Sequence, residues 1–319
     1  MNIPPAERTV LPVPTGAKRP TVSEGAKRLT VSEGAERRSG IAGAALLMAA
    51  SLALVLTAGA LARELGARYG AAEVLFLRFL LSLPVVAAAA FAMAGRRALS
   101  VTRPGGHAVR ALSGVGAALI FYAATQHLPF ADLVALSYAA PLFVVLLSGP
   151  AIGERAGAAS AVCVALGMAG VFLIAPPTRL EPWSLAMLAM AFLNAVCILA
   201  TRRTAKADGP AATGLVFVLA GCLLTAPAAL LTGFRMPEPA DLPVFLLLGF
   251  AAGAAILLNA AAFRRAPAAV LAPIDYLGIA ASAAIGFLWW GESPSPAVLL
   301  GGGLIAAAGL GTLWAGARR

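Results

Sequence analysis

Residues 129–154, PFADLVALSYAAPLFVVLLSGPAIGE, recur in outline at residues 267–292, PAAVLAPIDYLGIAASAAIGFLWWGE. Adding 138 to the residue number carries Pro129, Ala131, Leu133, Tyr138, Gly153 and Glu154 onto Pro267, Ala269, Leu271, Tyr276, Gly291 and Glu292 without a gap. In a chain this rich in Ala and Leu, identities of those types arise by chance. The rarer types carry the weight: a Pro at the head, a Tyr nine residues on, and a Gly-Glu pair closing an apolar run. A copy displaced by nearly half of the 319 residues means two related halves. A repeat on that scale decides architecture before any local pattern does.

Composition identifies the solvent. Hydrophobic residues make up 60% of the chain and charged residues 12%, with a mean hydropathy of +0.87. Soluble domains carry roughly a quarter charged residues, so this is an integral membrane protein. The net charge of +10 raises nucleic acid as a partner. However, seven of the 24 Lys and Arg lie in the first 40 residues and most others in short connections. That is the distribution of topogenic charge, and with no basic helix of interleaved aromatics, no nucleic-acid partner is expected. Cys163, Cys197 and Cys222 fall inside apolar runs and are expected as reduced thiols packed among helices or lipid.

Residues 1–40 are polar, and residues 16–24 (GAKRPTVSE) are echoed by 25–33 (GAKRLTVSE) and partly by 34–40. A repeat without an apolar face predicts a disordered basic tail. Residues 41–61 then run without a charge. The rival reading is a cleavable signal ending at Ala58-Gly59-Ala60, but the run exceeds the 7–15 residues of a signal core and 40 residues precede it. At about 20 apolar residues per crossing, further spans are expected at 71–94, 106–125, 130–149, 156–175, 183–201, 211–232, 242–263, 268–290 and 296–316. The fold class is an all-α membrane protein with ten transmembrane helices. Residues 41–177 and 178–319 form the two five-helix halves, with no room between spans for a soluble domain.

Counting alternate connections, one side collects 18 of the Lys and Arg, including the tail, Arg96, Arg97, Arg202, Arg203 and the C-terminal pair. The other side holds four, Arg63, Arg68, Arg179 and Arg235, and Arg78 and Arg110 lie within spans. The basic side is cytoplasmic, which places both termini there. Five spans per half force the second copy through the membrane upside down. Inverted repeats let one central site face either side in turn.

The residues quoted so far have a family look. Residues 121–177 and their copy at 272–294 (APIDYLGIAASAAIGFLWWGESP) resemble the ten-span EamA branch of the drug/metabolite transporter superfamily. The resemblance covers residues 41–316, and the paired Gly153-Glu154 and Gly291-Glu292 endings are its most specific marks. Within that branch, Pro273-Ile274-Asp275-Tyr276 is similar to the riboflavin and S-adenosylmethionine uptake group, which usually has Glu in place of this Asp. The resemblance implies secondary transport of small organic metabolites through a cavity between two four-helix cores, with the fifth and tenth spans peripheral and no cofactor.

A charge at mid-membrane costs roughly 2.5–3.5 kcal/mol even on lenient insertion scales, which makes it a candidate site by default. Asp275, whose repeat counterpart is Ser137, is expected to take a proton or a cationic group; an interhelical ion pair or a protonated, hydrogen-bonded acid is the plainer account. Arg78, opposite Val216 and Phe217 in the repeat, is expected to hold an anionic group with its planar fork or to pair with Asp275 or Glu73. Tyr138 and Tyr276 sit near Pro141 and Pro273, whose rings free backbone carbonyls that line cavities or find new partners. Their hydroxyls are expected either to face the pathway beside Asn194, Asn259 and Ser137 or to bond between helices, and Arg78, Tyr138, Asn194, Asn259, Asp275 and Tyr276 make up the expected substrate or proton site.

The remaining polar residues have structural readings. Glu73 is expected to snorkel outward, Glu154 and Glu292 to cap helices or pair with bases, and Trp289 and Trp290 to join an interfacial belt. His107 and Arg110, one turn apart at the start of the third span, are expected at lipid headgroups rather than on a metal. Gly167 and Gly170, with Gly301–Gly303, Gly309 and Gly311, predict close helix packing, or dimerisation of an otherwise monomeric carrier. Two decoys are discounted. His127 and Asp132 have an acyltransferase-like spacing but fall on a small external turn, and Gly114-Val115-Gly116 follows no strand and so is no nucleotide loop. The expected function is a carrier in a bacterial inner membrane; a membrane-embedded enzyme or a non-transporting scaffold is the alternative class.

Overall fold

The computed structural model describes residues 22–152, 158–174, 181–266 and 268–317. The chain divides into two compact units, Met1–Gly40 and Ile41–Arg319. Among the described residues the structure is all helix: α1 (Val22–Gly66), α2 (Ala71–Ala94), α3 (Pro104–Ala124), α4 (Phe130–Ser137), α5 (Ala140–Ile152), α6 (Ala158–Ile174), α7 (Pro182–Leu231), α8 (Leu242–Arg265), α9 (Ala268–Trp290) and α10 (Pro296–Ala317). In the first unit the backbone is helical from Val22, where the sequence predicts a disordered tail. The Ala, Glu, Lys and Arg of the nine-residue repeat are strong helix formers, and that local preference needs no apolar face.

The helices track the expected spans with two informative departures. The fourth span is broken into α4 and α5 around Tyr138 and Ala139. Pro141, second in α5, has no N–H to return to the carbonyl of Ser137, so the ladder is interrupted there. The sixth and seventh spans run together as the 50-residue α7, broken only at Gly209, whose φ of 81° suits a residue without a Cβ. At 1.5 Å per residue α7 would be about 75 Å long if straight, more than twice the ~30 Å hydrocarbon core, so its two arms suffice for two crossings. By length and composition, six helices among the described residues can cross a membrane, and Val162–Ile174 and Pro296–Gly311 are shorter apolar helices.

The exterior is as apolar as the interior. Leu231 is 88% exposed, Leu288 80%, Leu223 74% and Trp289 69%. In water such a surface aggregates; in lipid it is solvated. Association between helices then depends on close packing more than on the hydrophobic effect. One buried cluster gathers Phe130, Leu133, Leu136, Leu142 and Met187, and a second gathers Leu75, Phe79, Val218, Phe245 and Leu248. Helices α6 and α10 approach backbone to backbone. A Cβ on Gly170 would lie 2.5 Å from the carbonyl oxygen of Gly301, and one on Gly301 would lie 2.6 Å from that of Gly170. The glycine faces read from the sequence are thus used against each other within one chain.

Polar groups pin the ends of the bundle. The Tyr69 hydroxyl donates to Asp241 (2.8 Å) and accepts from the backbone N–H of Glu238 (3.0 Å), while Arg68 pairs with Asp241. Glu73, expected to snorkel, is instead 3% exposed and accepts the backbone N–H of Arg235 at 2.9 Å. The connection at residues 232–241 folds over it and supplies a donor that lipid lacks. At the other end Asp208, beside the α7 break, accepts from the backbone of Thr102 (2.9 Å) and from its hydroxyl, and bonds His107 at 2.8 Å.

Candidate functional site

Inside the second unit lies a chamber of about 570 Å³. It is walled by α1, α2, α3, the start of the α4/α5 break, both arms of α7, and α8. A smaller chamber of about 120 Å³ adjoins it, sharing Ser51, Ser137, Phe121 and Asn259 and adding Tyr138 and Asp275. Helices of both sequence halves therefore contribute to one polar interior.

The residues singled out from the sequence are distributed unevenly. Arg78, Asn194 and Asn259 line the large chamber, while Tyr138 and Asp275 line the small one with Asn259. Tyr276 lines neither: it packs on α10, where a Cβ on Gly309 would fall 1.5 Å from its hydroxyl. Its ring also meets that of Tyr138 at 5.2 Å. The Tyr138 hydroxyl donates to the backbone carbonyl of Asp275, tying the α4 break to the proline-bearing turn of α9. Among the described residues Arg78 pairs with neither Asp275 nor Glu73. Its guanidinium lies over the rings of Phe79 (4.8 Å) and Tyr122 (6.0 Å).

The residue missed by sequence reasoning is Arg110. Expected at headgroups, it is 9% exposed and lines the large chamber. Its Nε donates to the Thr201 hydroxyl and Nη1 to the Thr213 carbonyl, both at 2.7 Å, and the group stacks 4.2 Å from the Phe217 centroid. His107, also expected at headgroups, is buried against Asp208. The cause is the same for both: the first turns of α3 lie against the α7 break rather than lipid. A signal was legible, since Gly114, Ala117, Ala118 and Phe121 follow Arg110 at helical spacing and share its chamber-facing stripe.

Beyond Gly59 and Phe121 lies a second cluster. Glu292, after α9, pairs with Arg63 of α1 through both oxygens and accepts the backbone N–H of Phe130, the first residue of α4, at 2.9 Å. Arg63 lies 4.5 Å over Trp290, whose indole N–H donates to Glu64 at 2.7 Å. Trp290 is therefore drawn into the bundle while Trp289 stays on the exposed face. Glu154, the repeat counterpart of Glu292, lies outside the described residues. His127 stacks on Trp183 at 4.0 Å, and the described residues hold no group of three or more His, Cys, Asp or Glu suited to a metal.

Helices of two sequence halves around a polar chamber, with an exterior that only lipid solvates, define a membrane transport protein. The chain belongs to the EamA-like transporter family, within the drug/metabolite transporter superfamily; the family pattern matches twice, at residues 41–175 and 181–314. It is 27% identical to a riboflavin transporter of Rhizobium johnstonii over 76% of this chain and 78% of the relative. It is 24% identical to the pseudopaline exporter CntI of Pseudomonas aeruginosa over 77% of this chain and 87% of the relative. A solved crystal structure of a protein, 23% identical, covers 87% of this chain and 98% of its own with a TM-score of 0.63, and so shares the fold.

Proposed function

We propose that the chain is a secondary carrier that moves a small organic metabolite across a bacterial inner membrane by alternating access, without enzymatic chemistry. One observation carries the reading: a single chamber, apolar in most of its wall but carrying Arg78, Arg110, Asn194 and Asn259, is walled by helices from both halves. Its lining extends to Ala205, Pro210 and Thr213 at the α7 break and stops short of the Arg63–Glu292–Trp290 cluster at the other end. The break adjoins the basic connection at 202–210, the cytoplasmic side by the distribution of Lys and Arg. The arrangement is that of an inward-facing state with its outer end closed. Inverted halves exchange conformations to produce the opposite state.

Within this scheme Asp275, a carboxylate in the small chamber with no ion pair among the described residues, is the proton-coupling group. The relatives named for riboflavin and pseudopaline support a small-organic cargo, and the word exporter in one of those names leaves direction to the gradients. The test is flux of labelled metabolites into proteoliposomes with and without a pH gradient. Wild type is expected to accumulate substrate and to respond to the gradient, whereas Asp275→Asn is expected to retain gradient-independent exchange and lose the response. Equal pH dependence in both would remove Asp275 from coupling, and absence of any flux would remove the carrier.

A further inference from the structure

The side chains on the large chamber that carry a charge at neutral pH are, among the described residues, of one sign. Among the described residues its wall carries Arg78 and Arg110 and no Asp, Glu, Lys or His. Among the described residues the acid on the adjoining smaller chamber is Asp275. Two guanidinium groups on one chamber wall without a counter-charge among the described residues are unfavourable, because each has lost part of its bulk solvation and gained no anion in return. Both are available to a ligand. Arg110 commits two of its five N–H donors to Thr201 and Thr213. Arg78 makes no hydrogen bond or ion pair among the described residues and is held only over aromatic rings. Among those residues the buried side-chain nitrogen without a partner is His107 Nδ1, so no guanidinium nitrogen of either Arg is sealed off from the chamber unpartnered.

We infer that the large chamber selects organic anions, binding a carboxylate or phosphate between Arg78 and Arg110. This rests on the carrier reading of the same cavity and deepens it to a substrate class. Planar forks offer paired N–H groups that match the two oxygens of a carboxylate or phosphate. The rest of the wall states what the anion is attached to. Phe121, Tyr122 and Phe217 offer ring faces, and Asn194, Asn259 and Ser51 offer neutral hydrogen-bonding groups. A chamber of about 570 Å³ lies within the roughly 300–1,000 Å³ usual for small-molecule sites. The cargo is therefore a compact anion with an aromatic or mixed polar body. Arg110 also joins the two arms of α7, so an anion that draws on it pulls on the break at Gly209.

The full chain in detergent is titrated with benzoate, phenyl phosphate, benzamide, benzylamine and phenylalanine at one ionic strength, read by thermal shift and intrinsic fluorescence. Benzoate or phenyl phosphate is expected to bind at least tenfold more tightly than benzamide and benzylamine, and the two anion arms separate carboxylate from phosphate preference. Arg78→Gln, which removes no protein hydrogen bond among the described residues, is expected to weaken the preferred anion at least tenfold while the ligand-free protein still melts as a folded chain. Arg110→Gln is expected to do the same with some loss of stability, and Arg110→Lys to restore part of the binding. Tighter binding of benzylamine or phenylalanine, or unchanged anion affinity in Arg78→Gln, overturns the inference. Anions that bind but do not exchange across proteoliposomes would sink the carrier reading and leave the anion site standing; Asp275-dependent flux of cations would do the reverse.

Discussion

At the scale of single residues, what matters is which charges the fold provides for. Asp208 is provided for outside the membrane-spanning arms: hydrogen bonds from the Thr102 hydroxyl, then from His107, hold its carboxyl down at about 2. An unfolded Asp titrates near 3.9. The folded state is thus the poorer proton acceptor, so this stabilisation is fully present above about pH 4 and is lost as pH falls from there toward 2. Melting temperature followed from pH 6 down to pH 2 should fall more steeply in wild type than in Asp208→Asn, which cannot take up that proton. Parallel curves would show that Asp208 contributes no pH-dependent stability. Glu292 shows the same economy of contacts, one carboxylate serving as ion-pair partner to Arg63 and as N-terminal cap to α4.

At the scale of elements, small residues decide how closely helices approach. Gly170 and Gly301 place α6 and α10 backbone to backbone, and a side chain at either must displace a carbonyl rather than a flexible tip. Gly301→Val is expected to destabilise by about 1–3 kcal/mol or more, the range of overpacking in a filled interior. Gly303→Val is the control, since nothing lies within 4 Å of a Cβ there. Equal melting of the two variants in detergent would show that the close approach is not maintained. The breaks matter as much as the contacts. Tyr138 reaches the Asp275 carbonyl because α4 stops before Pro141, and Arg110 bridges Thr201 and Thr213 because α7 turns at Gly209.

At the scale of the whole molecule, one polar cluster joins the two halves: Arg63 comes from the first and Glu292 with Trp290 from the second, and under the proposed carrier reading it is the outer gate. Glu292→Gln keeps an oxygen for the Phe130 N–H but removes the ion pair. A loss of about 1 kcal/mol from the closed arrangement shifts its equilibrium roughly fivefold. The expected readout is severalfold faster labelling of Ala58→Cys, on the chamber wall, by an impermeant thiol reagent applied outside. Unchanged labelling would show that this cluster is not the outer gate.

Much of this was legible before any fold was known. Membrane class, two related halves, the family and the approximate spans all reside in runs of apolar residues and in rare residues recurring 138 positions apart, properties local to the chain. Arg78, Tyr138, Asn194, Asn259 and Asp275, singled out from the sequence, line the two chambers, but how Arg110 and Tyr276 are turned was harder to read. A helix buried in a soluble protein advertises its inner face by amphipathicity, but here lipid outside and packing inside are equally apolar, so hydropathy carries no sense of rotation. Tertiary packing decided that Arg110 bridges Thr201 and Thr213, that Tyr276 sits against Gly309 and that Arg63 pairs with Glu292, because those outcomes depend on how helices distant in sequence cross one another.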